Sequence, residues 1–187
     1  MTVVHAPVCS FESSSPDDLG ETTSFTNTTG EGNSLTTYAW QFGDGSPTSI
    51  AAHPAHRYEH VGLYTVVLTA TNLWGETTCS DVISVEGVEA AFVSNSPVVP
   101  GAPAVFSNRT RSNPPVVQWF WTFGDSQSSK EENPVHTYAE PGIYTVTLFA
   151  ANVPYLVQGS VYDIYQDTVS VFAVRGTLYL PIVVRNH

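Results

Sequence analysis

A five-residue segment of this chain occurs twice, and its surroundings are repeated with it. Residues 40–44 (WQFGD) return as residues 121–125 (WTFGD), 81 positions later. Residues 25–29 (FTNTT) return at the same spacing as residues 106–110 (FSNRT). Because extended self-similarity indicates a duplicated folding unit, we predict that two copies of one domain fill the chain from about residue 8 to residue 174.

Each copy also carries a strand signature. Residues 62–68 (GLYTVVL) return as residues 142–148 (GIYTVTL). Tyr64, Val66 and Leu68 alternate with threonine or valine, and this period of two places them on one face of a strand. Glycine and proline separate the other short β-branched and aromatic runs, and no helical periodicity appears. The sequence therefore predicts an all-β fold of two β-sandwiches.

Both copies resemble the PKD domain, an immunoglobulin-like β-sandwich. The resemblance rests on the W-x-F-G-D strand end, on the H-x-Y motifs that end at Tyr58 and Tyr138, and on the G-x-Y-T-V-x-L strand. It implies two tandem immunoglobulin-like sandwiches, and the apolar residues that follow them indicate an extra C-terminal strand. We expect the first domain at residues 1–87, the second at 88–174 and a C-terminal strand or tail at 175–187.

The second copy departs from the family pattern at one turn. Ser126 stands where the pattern has a glycine. Because the type of a turn depends on which of its positions can adopt a left-handed backbone, we expect this turn to have a different geometry.

Charge and composition exclude several classes of function. The chain has 17 acidic residues against six lysines and arginines, so it lacks the basic surface that nucleic acids and anionic membranes require. No apolar run reaches the roughly 18 to 20 residues of a membrane span. One lysine, two cysteines and many Thr, Ser, Val and Tyr residues favour an extracellular or cell-surface location.

The sequence offers no catalytic machinery. We find no nucleophile elbow, paired metal motif or phosphate-binding glycine loop, so we predict a non-enzymatic protein with no required cofactor. Asp44 and Asp125 follow a glycine at a strand end, where a carboxylate accepts turn N–H bonds or helps to hold calcium. Some PKD domains bind calcium, but no complete ligand set is transferred to this chain. We favour the turn role. His56 and His136 occupy the H-x-Y position of the family, and we expect each to bond the backbone and fix the corner beside Tyr58 or Tyr138.

Two pairs of residues invite covalent modification. Cys9 lies at the start of the first copy and Cys79 near its last strand, and a sandwich of this kind can bring the two together. We favour a disulfide over two buried thiols. Asn27 and Asn108 are glycosylation acceptors by pattern, although the F-T-N-T consensus of the PKD domain produces the same sequence for structural reasons.

Aromatic residues outside the expected core indicate a candidate ligand surface. The second copy has about six extra residues within the segment 153–166, which contains Tyr155, Tyr162 and Tyr165. Trp74 follows Asn72 in a loop of the first copy. The resemblance to PKD domains, which often accompany the catalytic domains of secreted hydrolases, implies an alternative function as an accessory binding or spacer module of such an enzyme. These four aromatic side chains would then contact its partner, a polysaccharide or a matrix protein such as collagen.

An apolar segment follows the expected last strand. It starts after a turn at Arg175-Gly176, and its proline confines it to a sheet edge or to a place where one backbone N–H is not required. Its residues are Thr177, Leu178, Tyr179, Leu180, Pro181, Ile182, Val183 and Val184. Such a strand must dock on its own domain or on another chain. Our first hypothesis is a structural, adhesive rod that self-assembles head to tail into a homopolymeric surface filament, with this segment adding to a sheet of the next copy.

Overall fold

The computed structural model describes residues 5–31, 35–152 and 161–173, and these ranges contain fifteen strands and no helix. The strands form two immunoglobulin-like β-sandwiches in sequence, which confirms the predicted all-β fold. The predicted C-terminal strand, Thr177 to Val184, lies outside the described residues.

The first sandwich is built from seven strands in two sheets. One sheet has the order β1-β3-β5, and the other places β7 and β6 beside β4. The short strand β2 runs parallel to β7. The strands are β1 (Phe11–Ser13), β2 (Asp17–Asp18), β3 (Thr23–Asn27), β4 (Thr37–Gln41), β5 (Ala55–His56), β6 (Gly62–Asn72) and β7 (Gly75–Glu89).

The second sandwich repeats this plan and adds one strand to the first. Its sheets have the orders β12-β11-β14-β15 and β13-β9-β8, while β10 pairs with β7 of the first sandwich. The strands are β8 (Phe92–Ser94), β9 (Pro103–Asn108), β10 (Arg111–Asn113), β11 (Gln118–Thr122), β12 (Ser128–Ser129), β13 (Val135–Thr137), β14 (Gly142–Ala151) and β15 (Tyr162–Val171).

The two cores contain the residues that the alternation selected. Val66, Leu68 and their counterparts Val146 and Leu148 are fully buried between the sheets. The tryptophans of the repeated segment, Trp40 and Trp121, are also 0% exposed and supply the largest buried side chains. The largest apolar areas of each core therefore come from the repeated motif itself.

A disulfide closes the first sandwich. It joins Cys9, just before β1, to Cys79 on β7, and their Cα atoms are 5.6 Å apart. A loop of this length restricts the unfolded chain and contributes about 4 kcal/mol in the chain-entropy model. The second sandwich has no cysteine.

The position of the aromatic insertion differs from the prediction. Ala151 on β14 pairs with Tyr162 on β15, as Thr71 on β6 pairs with Glu76 on β7. The extra residues therefore lie between 151 and 162, because the β14–β15 pairing continues as far as Tyr162. Tyr162 and Tyr165 lie on the strand and not in an insertion, and Tyr155 lies outside the described residues.

The repeated Gly-Asp turn shows why its first glycine is required. Gly43 has a φ of 83°, and a Cβ atom there would lie 2.5 Å from the carbonyl oxygen of Thr65. Gly124 has a φ of 81°, and its Cβ would lie 2.8 Å from the carbonyl oxygen of Thr145. Backbone-to-backbone contact at each position leaves no room for a side chain.

The prediction of a different turn at Ser126 is wrong. Ser126 has a φ of 72°, close to the 81° of Gly45 at the same position in the first copy. The surrounding strands and the Asp125 cap hold the serine in the left-handed region, where a side chain costs on the order of 1 kcal/mol. The turn is preserved, and the second domain carries the strain.

This strain predicts opposite effects of two exchanged residues. Ser126→Gly is expected to raise the free energy of unfolding of the second domain by roughly 0.5 to 1 kcal/mol, and Gly45→Ser to lower that of the first by a similar amount. Nothing lies within 4 Å of a Cβ at Gly45, so the effect there arises from backbone conformation alone. Urea unfolding of each variant tests this pair, and equal stability throughout would contradict it.

Candidate functional site

Each sandwich has a polar corner built around an Asp–His pair. In the first copy, His56 Nε2 lies 2.7 Å from Asp44 Oδ2, and the imidazole ring stacks on Phe42 with centroids 4.1 Å apart. The amide N–H of Ser46 donates to Asp44 Oδ1 at 3.0 Å. Tyr58 completes the corner, because its hydroxyl donates to the carbonyl oxygen of Phe42.

The second copy reproduces this corner. His136 Nε2 lies 2.7 Å from Asp125 Oδ2, and its ring stacks on Phe123 at 4.2 Å. The Tyr138 hydroxyl donates to the carbonyl oxygen of Phe123, as in the first copy. In both domains the histidine therefore bonds the aspartate of the turn and not the backbone that the sequence analysis predicted.

Contacts within each corner change the pKa values of its aspartate and its tyrosine. Burial raises the pKa of Asp44, but hydrogen bonds from Ser46 and His56 outweigh it and bring the pKa to about 2. Burial likewise opposes the hydrogen bonds from His136 and the Gln127 amide, and the net pKa of Asp125 is lowered. Burial raises the pKa of the Tyr58 hydroxyl well above its usual value.

These contacts bear on the calcium candidates Asp44 and Asp125. Each carboxylate already accepts hydrogen bonds from a histidine and a turn amide. Across residues 5–31, 35–152 and 161–173, no group of three or more His, Cys, Asp or Glu side chains has a metal-binding arrangement. The geometry makes the two aspartates turn caps.

The aromatic ligand candidates do not form one surface. Trp74 is 45% exposed at the hairpin before β7, at the end of the first domain far from the second. Tyr162 begins β15, next to Asp163, whose carboxylate binds the amide that follows β7. Trp74 and Tyr162 therefore lie at opposite ends of β7, at a distance on the order of 45 Å. Tyr165 packs edge-on against Phe92, with 5.2 Å between ring centroids.

The two glycosylation candidates cap turns. Asn27 Oδ1 accepts the amide of Thr29, and Asn108 Oδ1 accepts the amide of Thr110, both at 2.9 Å. The Asn108 Nδ2 group also donates to Glu132 at 3.3 Å. These side chains have a structural role, and glycosylation of either stays a prediction.

At the domain junction the sequence predicts only a short connection, residues 85–90, with little slack, and the contacts made there were not identified. Strand β7 continues past the first sandwich, and its last three residues pair with β10 of the second, from Glu89 with Arg111 to Gly87 with Asn113. The predicted boundary between residues 87 and 88 falls inside this strand. The connection is therefore a shared sheet and not a free linker.

Asn113 fastens β10 to the first domain. Its Nδ2 group donates to Ser84 Oγ at 2.9 Å and to the Val85 carbonyl oxygen at 3.1 Å, and the Gly62 carbonyl oxygen lies 3.3 Å away. All three acceptors belong to β6 or β7. One amide of the second domain thus binds two strands of the first.

Two carboxylates bind across the same junction. Glu89 accepts the amide of Val61 at 3.0 Å and lies 2.8 Å from His60 Nδ1, which draws the end of β7 onto the loop before β6. Asp163 of β15 accepts the amide of Ala90 at 2.8 Å. Polar contacts therefore restrain the connecting segment from both domains.

A small apolar cluster lies beneath these polar contacts. Val88 and Ala90 from the connection pack with Ala150 of β14, and all three are at most 7% exposed. The partly buried Val116, Trp119 and Val161 pack against them. This cluster fixes the connecting segment to the second domain, and the pairing of β10 with β7 joins it to the first.

These features define a class of protein, a tandem of immunoglobulin-like sandwiches joined by a structured connection. A known structure of the same fold is the ectodomain of mouse nectin-like molecule 4, with a TM-score of 0.60 and 18% identity. The match covers 95% of this chain and 68% of that one. At this identity the likeness concerns the fold.

The chain belongs to the PKD domain family, whose profile matches residues 4–87 and 89–154. Human Polycystin-1 is 34% identical over 121 residues, which is 62% of this chain and 3% of that protein. Collagenase ColA of Bacillus cereus is 49% identical over 43 residues, 22% of this chain and 4% of that protein. The chain therefore spans a few per cent of the length of these relatives.

PKD domains are non-catalytic modules of extracellular proteins and secreted proteases. The described residues contain no helix long and apolar enough for a membrane span.

The lowered pKa values predict an acid-sensitive stability. A carboxylate whose folded pKa is depressed stabilises the fold fully above its unfolded pKa of 3.8, and this contribution is lost as the pH falls through the folded pKa, about 2 for Asp44. Asp44→Asn is expected to reduce the pH dependence of the first domain in this window. Urea unfolding near pH 5, 3 and 2 measures it.

Asp18→Asn is the matched control, because Asp18 is exposed and, among the described residues, its carboxylate accepts no hydrogen bond. This variant should keep the pH dependence of the wild-type protein. If Asp44→Asn and the wild-type protein lost stability equally between about pH 4 and pH 2, the role of Asp44 would be refuted.

Proposed function

We propose that this chain is a non-enzymatic extracellular structural and adhesive protein, a rod-like tandem PKD subunit whose copies associate head to tail into a filament. The observation that carries the proposal is the junction, where β10 and Asn113 of the second domain bind the first domain. A rod transmits force or sets a distance only if its joints are stiff, and this joint has a shared strand, polar contacts and an apolar centre.

The joint resembles a domain interface more than a tether. Flexible linkers allow neighbouring domains to reorient freely, whereas a shared sheet must break hydrogen bonds before the domains can bend. Each such bond contributes about 0.5 to 1.5 kcal/mol, and several must open together. The duplicated domains thus act as one stiff unit.

Association of copies rests on the apolar C-terminal segment. Residues 177–184 contain seven apolar or aromatic side chains, counting Pro181, in eight positions. An apolar strand gains stability by adding to a sheet of another copy, and a contact that joins two different surfaces continues into a filament unless it closes into a ring.

A second candidate function is an accessory or spacer module of a secreted hydrolase. The similarity to Collagenase ColA, at 49% identity over 43 residues, favours it. The exposed Trp74 would then supply a contact with a polysaccharide or a matrix protein. In this case the stiff joint would set the distance between neighbouring domains.

Removal of residues 176–187 separates the two functions. The full chain is expected to form assemblies visible by electron microscopy and light scattering, and the shortened chain to remain folded and monomeric. Retention of a strictly monomeric full chain on insoluble collagen, chitin or cellulose would favour the accessory module. Assemblies that persist without the segment would refute its role.

The junction generates a separate prediction for Asn113→Ala. Loss of the amide removes the donor to β6 and β7, so the domains should move relative to each other while both sandwiches stay folded. Spin labels at Ile50→Cys and Lys130→Cys, one in each domain, report the distance by pulsed electron resonance. The distribution should be narrow in the wild-type protein and broader in Asn113→Ala.

Asn95→Ala is the matched control. Asn95 also binds backbone through its side chain, to Pro103 and Val105, but entirely within the second domain. This substitution should lower the stability of that domain and leave the distance distribution unchanged. Equal broadening in both variants, or in neither, would contradict the clamp.

A further inference from the structure

An apolar face lies on the outside of the second sandwich, near the junction. Phe120, Phe149 and Ile164 are register partners across β11, β14 and β15, so they form one row on the solvent side of the sheet. Tyr162 extends the row, with its ring 5.3 Å from that of Phe149. Phe120, Tyr162 and Ile164 are 40%, 51% and 52% exposed. We call these four residues the aromatic face.

The first sandwich has no such face at the corresponding place. The row that matches Phe120, Phe149 and Ile164 in register consists of Ala39, Thr69 and Thr78. Glu76 stands where the second copy has Tyr162, and it accepts a hydrogen bond from Thr71. A sandwich of this design therefore does not need apolar side chains in the row, and their presence in one copy indicates an added role.

The neighbouring sheet edge is closed to an added strand. The outward amides of Ile164 and Thr168 on β15 are bound by the carboxylates of Asp163 and Asp167. The outward amides of Ser170 and Phe172 are bound by Ser96 and Val98. Because most outward donors of β15 are already used, a segment that docks here must lie on the face and not along the edge.

The C-terminal segment has the chemistry that this face would bind. The last fourteen residues contain two arginines and no acidic residue, while the preceding 173 contain all 17 acidic residues of the chain. The two arginines, Arg175 and Arg185, flank the apolar residues 177–184, so the segment has a charge opposite to that of the rest of the chain. In an extended conformation, eight residues are about 26 Å long, whereas a row of three strands is about 10 Å wide. A segment of the length of 177–184 is therefore long enough to cross the aromatic face.

We infer that the aromatic face of the second domain is the docking surface for residues 177–184 of a second copy. This inference rests on the proposed association of copies through residues 177–184, and it replaces strand addition at a sheet edge with docking on the face of the sheet. The last strand ends at Val171, which pairs with Gly142 at the end of the sheet opposite the aromatic face. The acceptor surface and the end of the last strand thus lie at opposite ends of one domain, and contact between two different surfaces is what a repeating, heterologous association requires.

The composition of the face favours a peptide over a sugar as its occupant. Two phenylalanines, one isoleucine and one tyrosine offer a single polar atom among them, the tyrosine hydroxyl. Sugar sites need several hydrogen-bonding groups to orient hydroxyls, whereas an apolar strand needs mainly buried area.

The test uses a fluorescent peptide of residues 174–187 and the full-length chain, diluted below the onset of light scattering. The peptide should bind the wild-type chain in fluorescence anisotropy. The triple variant Phe120→Ala, Phe149→Thr and Ile164→Thr installs the residues of the first copy and should bind at least about tenfold more weakly, because most of the apolar area is removed. The same variant should lose assembly in electron microscopy.

Ile143→Thr is the matched control, because Ile143 is 75% exposed and lies at the other end of β14. It should bind the peptide as the wild-type chain does. Thermal unfolding checks that the triple variant folds. If it does not, the single variant Ile164→Thr should still weaken binding about threefold, since its side chain is half-exposed.

The remaining outcomes separate this inference from the proposed function. Absence of peptide binding to the full-length chain would overturn the inference, since the segment then either covers its own domain or docks elsewhere. Assemblies unaffected by the triple variant would overturn the inference and leave the proposed function standing. A chain that binds the peptide at the aromatic face but never assembles would support the surface and refute the filament.

Discussion

The rest of the structure depends on the continuity of β7. Its first part belongs to the core sheet of the first sandwich, and its last three residues form a ladder with β10 of the second. One continuous strand therefore pairs with both domains and restricts how one can be oriented relative to the other. Asn113, Glu89 and Asp163 add side-chain bonds that keep this backbone in place.

The two sandwiches share their interior and differ at their surfaces. The aromatic core, the Asp–His corner and the Gly-Asp turn are the same in both copies, because each solves a packing or hydrogen-bonding problem of the fold itself. The disulfide occurs only in the first copy. Among the residues that the structure describes, the strand β10 with its asparagine and the aromatic face are found in the second.

Much of the fold could be predicted from the sequence. The period-two alternation predicted the strand that buries Val66, and the repeat predicted that the tryptophan before the turn belongs to the core. The backbone geometry at Ser126 could not be predicted, because the surrounding structure holds this serine at a positive φ that a residue with a side chain rarely adopts. The prediction placed Tyr162 in an insertion. A change in the spacing between the two copies shows that residues were added, but it does not show at which residue the pairing of the two hairpin strands stops.

The junction was missed for a different reason. The importance of Asn113 comes from acceptors about 28 to 51 residues away, and no local pattern reveals such contacts. One signal was present, since Asn113-Pro114-Pro115 stands where the first copy has Gly32-Asn33-Ser34. A proline pair restricts the backbone and is typical of a segment held in one conformation.

Residual dipolar couplings of the wild-type chain, measured by NMR in a dilute aligned medium, test the stiff junction most directly. If the shared strand fixes the two sandwiches, the couplings of both domains will fit one alignment tensor with the same magnitude and orientation. Two tensors of different magnitude would mean that the domains reorient independently, and the account of this chain as a stiff tandem unit would be wrong.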